Sequence, residues 1–125
     1  MKVKIDTKEK MHVITVEEGK LAANMTEDFK NTLLNYLNAP VKNVVINLES
    51  VDEMDEISGE LLLSVQQAFY EADHSLVFCN LKPAVEKFLD EQELLELMNV
   101  TPTESEASDI VQMEEIEREL LDEED

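Results

Sequence analysis

One run near the middle of the chain, Val44-Val45-Ile46-Asn47-Leu48, is almost entirely apolar and rich in β-branched side chains. A strand with one face in water alternates apolar and polar residues, and this run does not. It therefore predicts a strand that is buried on both faces, in the middle of a sheet with parallel neighbours. The run Leu76-Val77-Phe78-Cys79 has the same character and predicts a second buried strand.

The N-terminal residues alternate between apolar and polar types, which predicts a pair of strands at about 2–7 and 11–17 with a polar turn between them. Three helices are predicted from the 3.6-residue period. The first begins near Thr26, the expected N-cap, the second spans about 57–72, and the third has Pro83 in its first turn. Their expected inward residues are Phe29, Leu33 and Leu37; Ile57, Leu61, Val65, Ala68 (with Phe69) and Ala72; and Val85, Phe88 and Leu89.

The last quarter of the chain predicts a short strand or turn at Asn99-Val100 and then a long helix from about 103 to 121. Thr101-Pro102-Thr103-Glu104 has the form of a capping box for that helix. We expect the chain from Leu121 to Asp125 to fray. The stripe expected to pack this helix onto the domain is Ile110, Met113, Ile116 (or Glu117) and Leu120.

These elements follow the order β-β-α-β-α-β-α-(β)-α, and no Gly/Ser linker divides them. Parallel central strands joined by helices require right-handed crossovers. The sequence therefore predicts one α/β domain over residues 1–125, with a mixed sheet of about four to five strands packed against about four helices. Within it, residues 101–125 form an acidic C-terminal helix and tail.

The charge balance is strongly acidic, with 30 acidic and 10 basic residues and a formal charge of −20. Residues 101–125 hold 11 of those acidic residues and only one basic residue, Arg118. No basic patch is present to neutralise phosphates, so nucleic acids and anionic membrane surfaces are disfavoured as partners. A basic protein partner fits this field, and so does the simpler interpretation that the charge keeps a small protein in solution.

Targeting and disulfide signals are missing from the sequence. Apolar runs such as Leu61 to Leu63 are far shorter than a signal peptide core or a membrane span. Cys79 is the only cysteine, so no internal disulfide can form. We expect a soluble cytoplasmic protein.

Enzyme motifs are also missing. Two glycines 40 positions apart cannot build a phosphate-binding loop. His12 and His74 lie on different elements and are expected to be ordinary surface or edge residues, and Cys79 is expected to be a small core residue. We therefore expect a non-enzymatic protein with no catalytic residue, cofactor or metal.

One acidic cluster precedes and opens the second helix. It lacks the spacing of an EF-hand, which leaves a Ca²⁺ or Mg²⁺ site as the weaker interpretation. Carboxylates at a helix N-terminus are favourable, so a solvated loop is the stronger one. The cluster consists of Asp52, Glu53, Asp55, Glu56 and Glu60.

Two segments resemble the STAS domain family. Residues 45–55, Val-Ile-Asn-Leu-Glu-Ser-Val-Asp-Glu-Met-Asp, resemble its signature, in which a buried strand of the form hydrophobic-Asp/Asn-Leu-x-x-Val leads to hydrophobic-Asp-Ser-Ser-Gly. Residues 76–89 resemble the family's next strand followed by Pro-x-Val-x-x-x-hydrophobic. The resemblance extends over almost the whole chain, and its fold matches the predicted element order.

The resemblance implies a protein-binding function of the anti-sigma factor antagonist type. In that group the loop after the first central strand, with the helix that starts there, binds an anti-sigma factor that is often also a serine kinase. The kinase phosphorylates a serine in the Asp-Ser-Ser-Gly segment, and the added charge switches binding off. The corresponding candidate partner-binding residues here are Asp55, Glu56, Ile57, Ser58 and Gly59.

This chain departs from the family at that segment. Without a gap, the two family serines fall on Glu56 and Ile57, neither of which can be phosphorylated. With a one-residue insertion, Ser58 becomes the candidate phosphorylation site, but the insertion would rotate the helix by roughly 100°. We favour the ungapped alignment, in which Ser58 has no signalling role. A switch at Ser58 and a module with fixed partner choice both remain open, as does a STAS subunit of a signalling scaffold or lipid-transport complex.

Overall fold

The structure is a computed structural model that describes residues 1–124, with side chains to Asp122. The element order matches the predicted one, apart from two additional short strands. The strands are β1 (Val3–Thr7), β2 (Met11–Val16), β3 (Lys20–Leu21), β4 (Asn43–Asn47), β5 (Glu53–Met54), β6 (Leu76–Cys79) and β7 (Val100–Thr101). The helices are α1 (Ala23–Asn35), α2 (Glu56–Glu71), α3 (Pro83–Glu91) and α4 (Glu104–Glu124), with 3₁₀ turns at Tyr36–Asn38 and Leu95–Leu97.

The main sheet has five strands in the order β1-β2-β4-β6-β7. Strand β1 is antiparallel to β2, and the remaining neighbours are parallel. All five residues of β4 are buried, which confirms the prediction of a central strand with parallel neighbours. The fold is therefore the mixed α/β architecture expected from the sequence.

The sheet separates two apolar clusters of unequal size. Val44 and Ile46 of β4 face the larger cluster, which contains the buried hydrophobic residues of α1, α2 and α3. Val45 faces the opposite side, where α4 contributes Ala107 and Val111. Three helices thus cover one face of the sheet and a single helix covers the other, which explains why β4 is buried on both faces.

Strands β3 and β5 pair with each other in a separate two-stranded parallel sheet. Lys20 pairs with Glu53 and Leu21 with Met54. Each strand has only two residues, too few to show a period in the sequence. The pairing brings the segment before α1 against the segment before α2.

The predicted inward stripe of α2 is confirmed at Val65 and Phe69 but is wrong at its two ends, Ile57 and Ala72. Ile57 is 54% exposed and Ala72 is exposed, whereas Ser58, Leu62 and Phe69 are buried. A shift of one residue rotates a helix by about 100°. Three consecutive leucines fit either orientation, and the buried hydroxyl of Ser58 gives no hydrophobic signal, so the sequence pattern favoured the wrong side.

The predicted packing of α4 through Met113 and Ile116 is also wrong, because both side chains are exposed. The side of α4 that faces the sheet carries Ala107 and Val111 and then three polar residues, which we call the α4 clasp: Glu114, Glu115 and Arg118.

The clasp replaces apolar packing with hydrogen bonds. Glu114 accepts from the hydroxyls of Tyr70 (2.6 Å) and Ser75 (2.7 Å). Glu115 accepts from the Asn43 amide (2.8 Å), and Arg118 donates to Ser75 Oγ (2.8 Å). Residues that looked like a solvated face in the sequence therefore hold the helix in place.

Two predicted helix caps are wrong. Ala22 occupies the N-cap position of α1, and Thr26 lies inside its first turn. Helix α4 begins at Glu104, where Thr103 Oγ1 accepts from the Glu106 N–H over 3.2 Å, so the cap lies two residues later than predicted. The helix continues to Glu124, past the expected end at about 121, and the fraying predicted for Asp125 lies outside the described residues.

His12 was expected at the surface or an edge, but it is buried in β2, an interior strand of the sheet. Its Nε2 lies 2.8 Å from the Val41 carbonyl, and its Nδ1 lies 2.8 Å from Thr7 Oγ1. A carbonyl only accepts, so Nε2 donates and Nδ1 accepts from the threonine hydroxyl in the neutral ring. His74 lies half-buried in the turn before β6, where burial lowers its pKa.

Candidate functional site

The region that the sequence singled out lies at the start of α2, just after the carboxyl end of β4. We call the exposed part of residues 49–60 the α2 surface. The five candidate residues separate into two groups by exposure. Glu56 and Ile57 are exposed, Asp55 is half-buried, and Ser58 and Gly59 are buried.

Asp55 caps two helices with one carboxylate. Its Oδ1 accepts from the Ser58 N–H at 2.8 Å, which makes it the N-cap of α2. Its Oδ2 accepts from the Ala23 N–H, also at 2.8 Å, in the first turn of α1. Both helix N-termini carry unpaired N–H groups that favour an anion. Asp55 therefore fixes the position of α2 relative to α1.

The ionisation of Asp55 reflects these contacts. The hydroxyl of Ser58 and then its backbone N–H lower the pKa of the Asp55 carboxyl, and the Ala23 N–H and the charge of Lys20 add to this. Partial burial acts in the opposite direction but does not prevail. The carboxylate is thus held in its charged form, as a cap requires.

Ser58 is completely buried. Its Oγ lies 2.7 Å from Thr26 Oγ1 and 3.2 Å from the Leu21 carbonyl, to which it donates. Thr26 Oγ1 in turn lies 3.1 Å from the Ala22 carbonyl. These hydroxyls join α1, α2 and β3 in a small buried network, and in this conformation the Ser58 hydroxyl does not reach the surface.

Gly59 is buried because α2 passes close to the segment that follows α3. A Cβ at this position would lie 2.9 Å from Leu94 Cδ1 and 3.2 Å from Leu89 Cδ2. Both distances are shorter than ordinary carbon contacts. Gly59 therefore permits close packing and presents no group to a partner.

Ile57 is the apolar centre of the α2 surface. It points away from the core, with Glu56 beside it and Glu60 three residues further on, and all three side chains are exposed. Within residues 1–124, neither Glu56 nor Glu60 forms an ion pair, whereas Asp52 pairs with Lys82 and Glu53 with Lys20. The surface therefore offers one apolar side chain among free carboxylates.

The described residues show no metal-binding cluster. Among residues 1–124, no three His, Cys, Asp or Glu side chains are placed to hold a metal ion. Cys79 lies under α4, where burial, with smaller effects of Glu104 and Glu49, raises its thiol pKa to about 12. A thiol that stays protonated is a poor nucleophile, in line with its interpretation as a core residue.

The residues that support this region carry no signal in the sequence. Leu21, Ala23 and Thr26 contact the start of α2 from more than 30 positions away in the chain. Their residue types are unremarkable, and only the pairing of β3 with β5 brings them close. Thr26 has the residue type of a helix cap, but its hydroxyl bonds to Ser58 of α2.

Two further findings concern membranes and curated proteins. Over the part of the chain described by the structure, no helix combines the length and apolar character needed to cross a membrane. A comparison with curated proteins gave no significant match.

The model of the STAS domain family matches residues 2–107, which is most of the chain. The match ends within the first turn of α4, so residues 108–124 of that helix lie beyond it.

Solved structures share the fold at low sequence identity. A putative anti-sigma factor antagonist from Thermotoga maritima is 18% identical with a TM-score of 0.74, over 88% of this chain and 94% of that one. A serine-to-glutamate variant of RsbS from Moorella thermoacetica is 23% identical with a TM-score of 0.74, over 90% and 96%. The anti-sigma factor antagonist SpoIIAA in its unphosphorylated form is 21% identical with a TM-score of 0.70, over 89% and 96%.

Proposed function

The chain belongs to the STAS domain family, and from this membership we propose that it is a cytoplasmic, non-enzymatic module that binds an anti-sigma factor or a related serine kinase. The α2 surface is the proposed contact. The observation that carries the proposal is the exposure of Ile57 at the first turn of a helix whose position is fixed by Asp55. An exposed apolar side chain on a rigid element is a typical centre of a protein interface.

The five candidate residues have different proposed roles. Glu56 and Ile57 contact the partner, because they are the two whose side chains are exposed. Asp55, Ser58 and Gly59 hold the helix start in place, through the double cap, the buried hydroxyl network and the close approach to Leu94. The free carboxylates of Glu56 and Glu60 favour a partner with an apolar pocket and a basic rim.

We also propose that binding is not switched by phosphorylation of Ser58. Its hydroxyl is buried and hydrogen-bonded, so a kinase would have to separate α1 from α2 to reach it. A phosphate would add about −1.5 to −2 charges beside Asp55 and Glu56. Glu56 already places a permanent charge at the surface, which supports fixed rather than regulated partner choice.

A capture experiment tests this proposal. Immobilised wild type and Ile57→Asp are exposed to a lysate of the source cells, and bound proteins are identified by mass spectrometry. A serine kinase or anti-sigma factor retained by wild type and lost with Ile57→Asp supports the proposal. Capture of the same protein by both baits contradicts the role of the α2 surface.

The intact mass of the chain after incubation with the captured kinase and Mg-ATP tests the second part. The proposal predicts no added phosphate on Ser58. One phosphate on wild type that is missing from Ser58→Ala would instead establish the switch.

A larger assembly is a second candidate function, favoured by one observation. Helix α4 presents exposed apolar side chains on the opposite face of the sheet from α2. A subunit that joins two proteins needs two such surfaces. Capture of a scaffold or transporter subunit, rather than a kinase, would support this function.

A further inference from the structure

The outer face of α4 carries an apolar stripe with nothing packed against it in the described chain. Met113, Ile116 and Leu120 are each between 55% and 59% exposed. Their spacing of three and four residues places them on one side of the helix, opposite Ala107 and Val111, which face the sheet. Helix α4 therefore has two apolar sides. The side with Ala107 and Val111 packs on the sheet, and the side with Met113, Ile116 and Leu120 is exposed.

The edges of the stripe are acidic. Asp109, Glu117 and Glu119 are exposed beside it, and none forms an ion pair within residues 1–124. Arg118, the only basic residue of the helix, is turned inward to Ser75 and Glu115. An apolar stripe bordered by uncompensated carboxylates matches an amphipathic helix with a basic border.

A groove beside the stripe is acidic along α4, while Lys8 and Lys10 lie on its opposite wall. It encloses about 760 Å³ between the β1–β2 turn and α4, and Ile116 forms part of its wall. Glu104, Asp109, Glu115 and Glu119 line its α4 side. A helix that lay on the stripe would have acidic groups along both of its edges.

A second copy of this chain is a poor occupant. Two α4 helices packed through this stripe would bring Glu117 and Glu119 of each copy close to those of the other. Like charges at the edges of a helix pair oppose association. The complementary occupant is a separate protein that carries basic residues beside its apolar stripe.

We propose that the outer face of α4 is a second docking surface, and that its partner is a basic amphipathic helix of another protein. This surface is distinct from the α2 surface. The α4 clasp bonds the middle of α4 to Asn43 and Ser75, which lie at the amino ends of β4 and β6. Asp55, at the α2 surface, instead follows the carboxyl end of β4. Both surfaces can therefore be occupied at once.

Fluorescence anisotropy with two labelled synthetic peptides tests the proposal. One is a helical peptide with leucine at its heptad a and d positions and lysine at the flanking positions, and the other carries glutamate in place of lysine. Wild type is expected to bind the lysine peptide, more weakly as salt is raised, and not the glutamate peptide. Failure to bind the lysine peptide, or equal binding of both peptides, would overturn the proposal.

The variant Ile116→Asp isolates the apolar contact. Its added carboxylate would strengthen attraction to lysine, so a loss of affinity arises from the lost apolar burial. We expect affinity for the lysine peptide to fall by about tenfold or more. The matched control is Leu97→Asp, since Leu97 is 57% exposed and lies outside α4, and it should bind like wild type.

Two further measurements separate the remaining outcomes. Sedimentation that shows a concentration-dependent dimer of wild type, abolished in Ile116→Asp, would make a second copy the occupant and overturn the proposal. The variant Ile57→Asp should bind the lysine peptide like wild type, so failure of the α2 surface and failure of the α4 surface are distinguishable. Circular dichroism and urea unfolding verify that Ile116→Asp remains folded.

Discussion

The side-chain hydroxyls of Ser58 and Thr26 lie 2.7 Å apart in the buried contact between α2 and α1. This pair places the serine of the candidate site inside the domain, whereas the preceding residue, Ile57, is at the surface. One position along α2 thus separates a residue that supports the helix from a residue that is available to a partner. The contrast gives the first test.

Glutamate at Ser58 should destabilise the domain by at least about 3 kcal/mol, because it would bury a carboxylate without a cation. Glutamate at Ile57 should change stability by no more than about 0.5 kcal/mol, since that side chain is exposed. Urea unfolding of the two variants and wild type gives both values. Equal stability of Ser58→Glu and Ile57→Glu would show that Ser58 is accessible after all.

Removal of the Asp55 carboxylate should weaken two helices at once. We expect Asp55→Ala to lose about 1 kcal/mol for each capped helix near neutral pH. Glu56→Gln is the matched control, because it removes a neighbouring carboxylate that caps neither helix. If Glu56→Gln destabilises the domain as much as Asp55→Ala does, the effect of Asp55→Ala comes from the loss of a negative charge and not from the loss of a cap.

The same residue predicts a pH dependence. The folded-state pKa of Asp55 lies below its ordinary value of 3.8, so the unfolded chain takes up the proton first as pH falls. Its contribution is fully present above the unfolded pKa and is lost as pH falls through the folded pKa. The difference in unfolding free energy between wild type and Asp55→Ala should therefore be largest near neutral pH. It should become smaller as the pH falls below the unfolded-state pKa of Asp55. A gap that stayed constant through the acid range would contradict this assignment.

Gly59→Ala should be destabilising, although alanine favours helices. The new methyl group would meet Leu94 Cδ1 at 2.9 Å, and such overpacking costs about 1–3 kcal/mol. The gain in helix propensity is only about 1 kcal/mol. In a double-mutant cycle, Leu94→Ala should relieve part of the loss, so the pair should be more stable than the sum of the single effects. Additive effects would show that Leu94 does not limit the space at Gly59.

Truncation after Ser108 tests whether α4 belongs to the domain. The cut removes Val111 and the clasp, and it exposes the cluster that contains Val45 and Val77. Burial of one valine side chain alone contributes about 1.5 kcal/mol or more. We expect a loss of cooperative unfolding, measured by circular dichroism during heating. A truncated chain that unfolded like the full chain would mean that residues 109–125 are dispensable for folding.

The sheet was predictable because its evidence is local. The apolar runs of β4 and β6, and the alternation in β1 and β2, lie within short segments of the sequence. Helix positions followed from Pro83 and the 3.6-residue period. These signals arise from backbone preferences and from burial, and the local pattern of residue types shows both.

The faces of α2 and α4 were not predictable because polar residues decide them. The buried Ser58 depends on Thr26, and the inward Glu114 depends on Tyr70 and Ser75. Hydropathy places such residues in water unless their distant partners are known. For the same reason, hydropathy placed Ile57 and Ile116 inside the domain, although both side chains are exposed. Ile57 belongs to the proposed α2 surface and Ile116 to the proposed α4 surface.

The dissociation constant of the captured serine kinase or anti-sigma factor tests whether Ile57 is the centre of the partner-binding surface. Isothermal titration calorimetry compares wild type, Ile57→Asp and the control Leu97→Asp, whose mutated side chain has nearly the same exposure. We predict that Ile57→Asp weakens binding by about tenfold or more, whereas Leu97→Asp binds like wild type. An unchanged dissociation constant for Ile57→Asp would contradict the account.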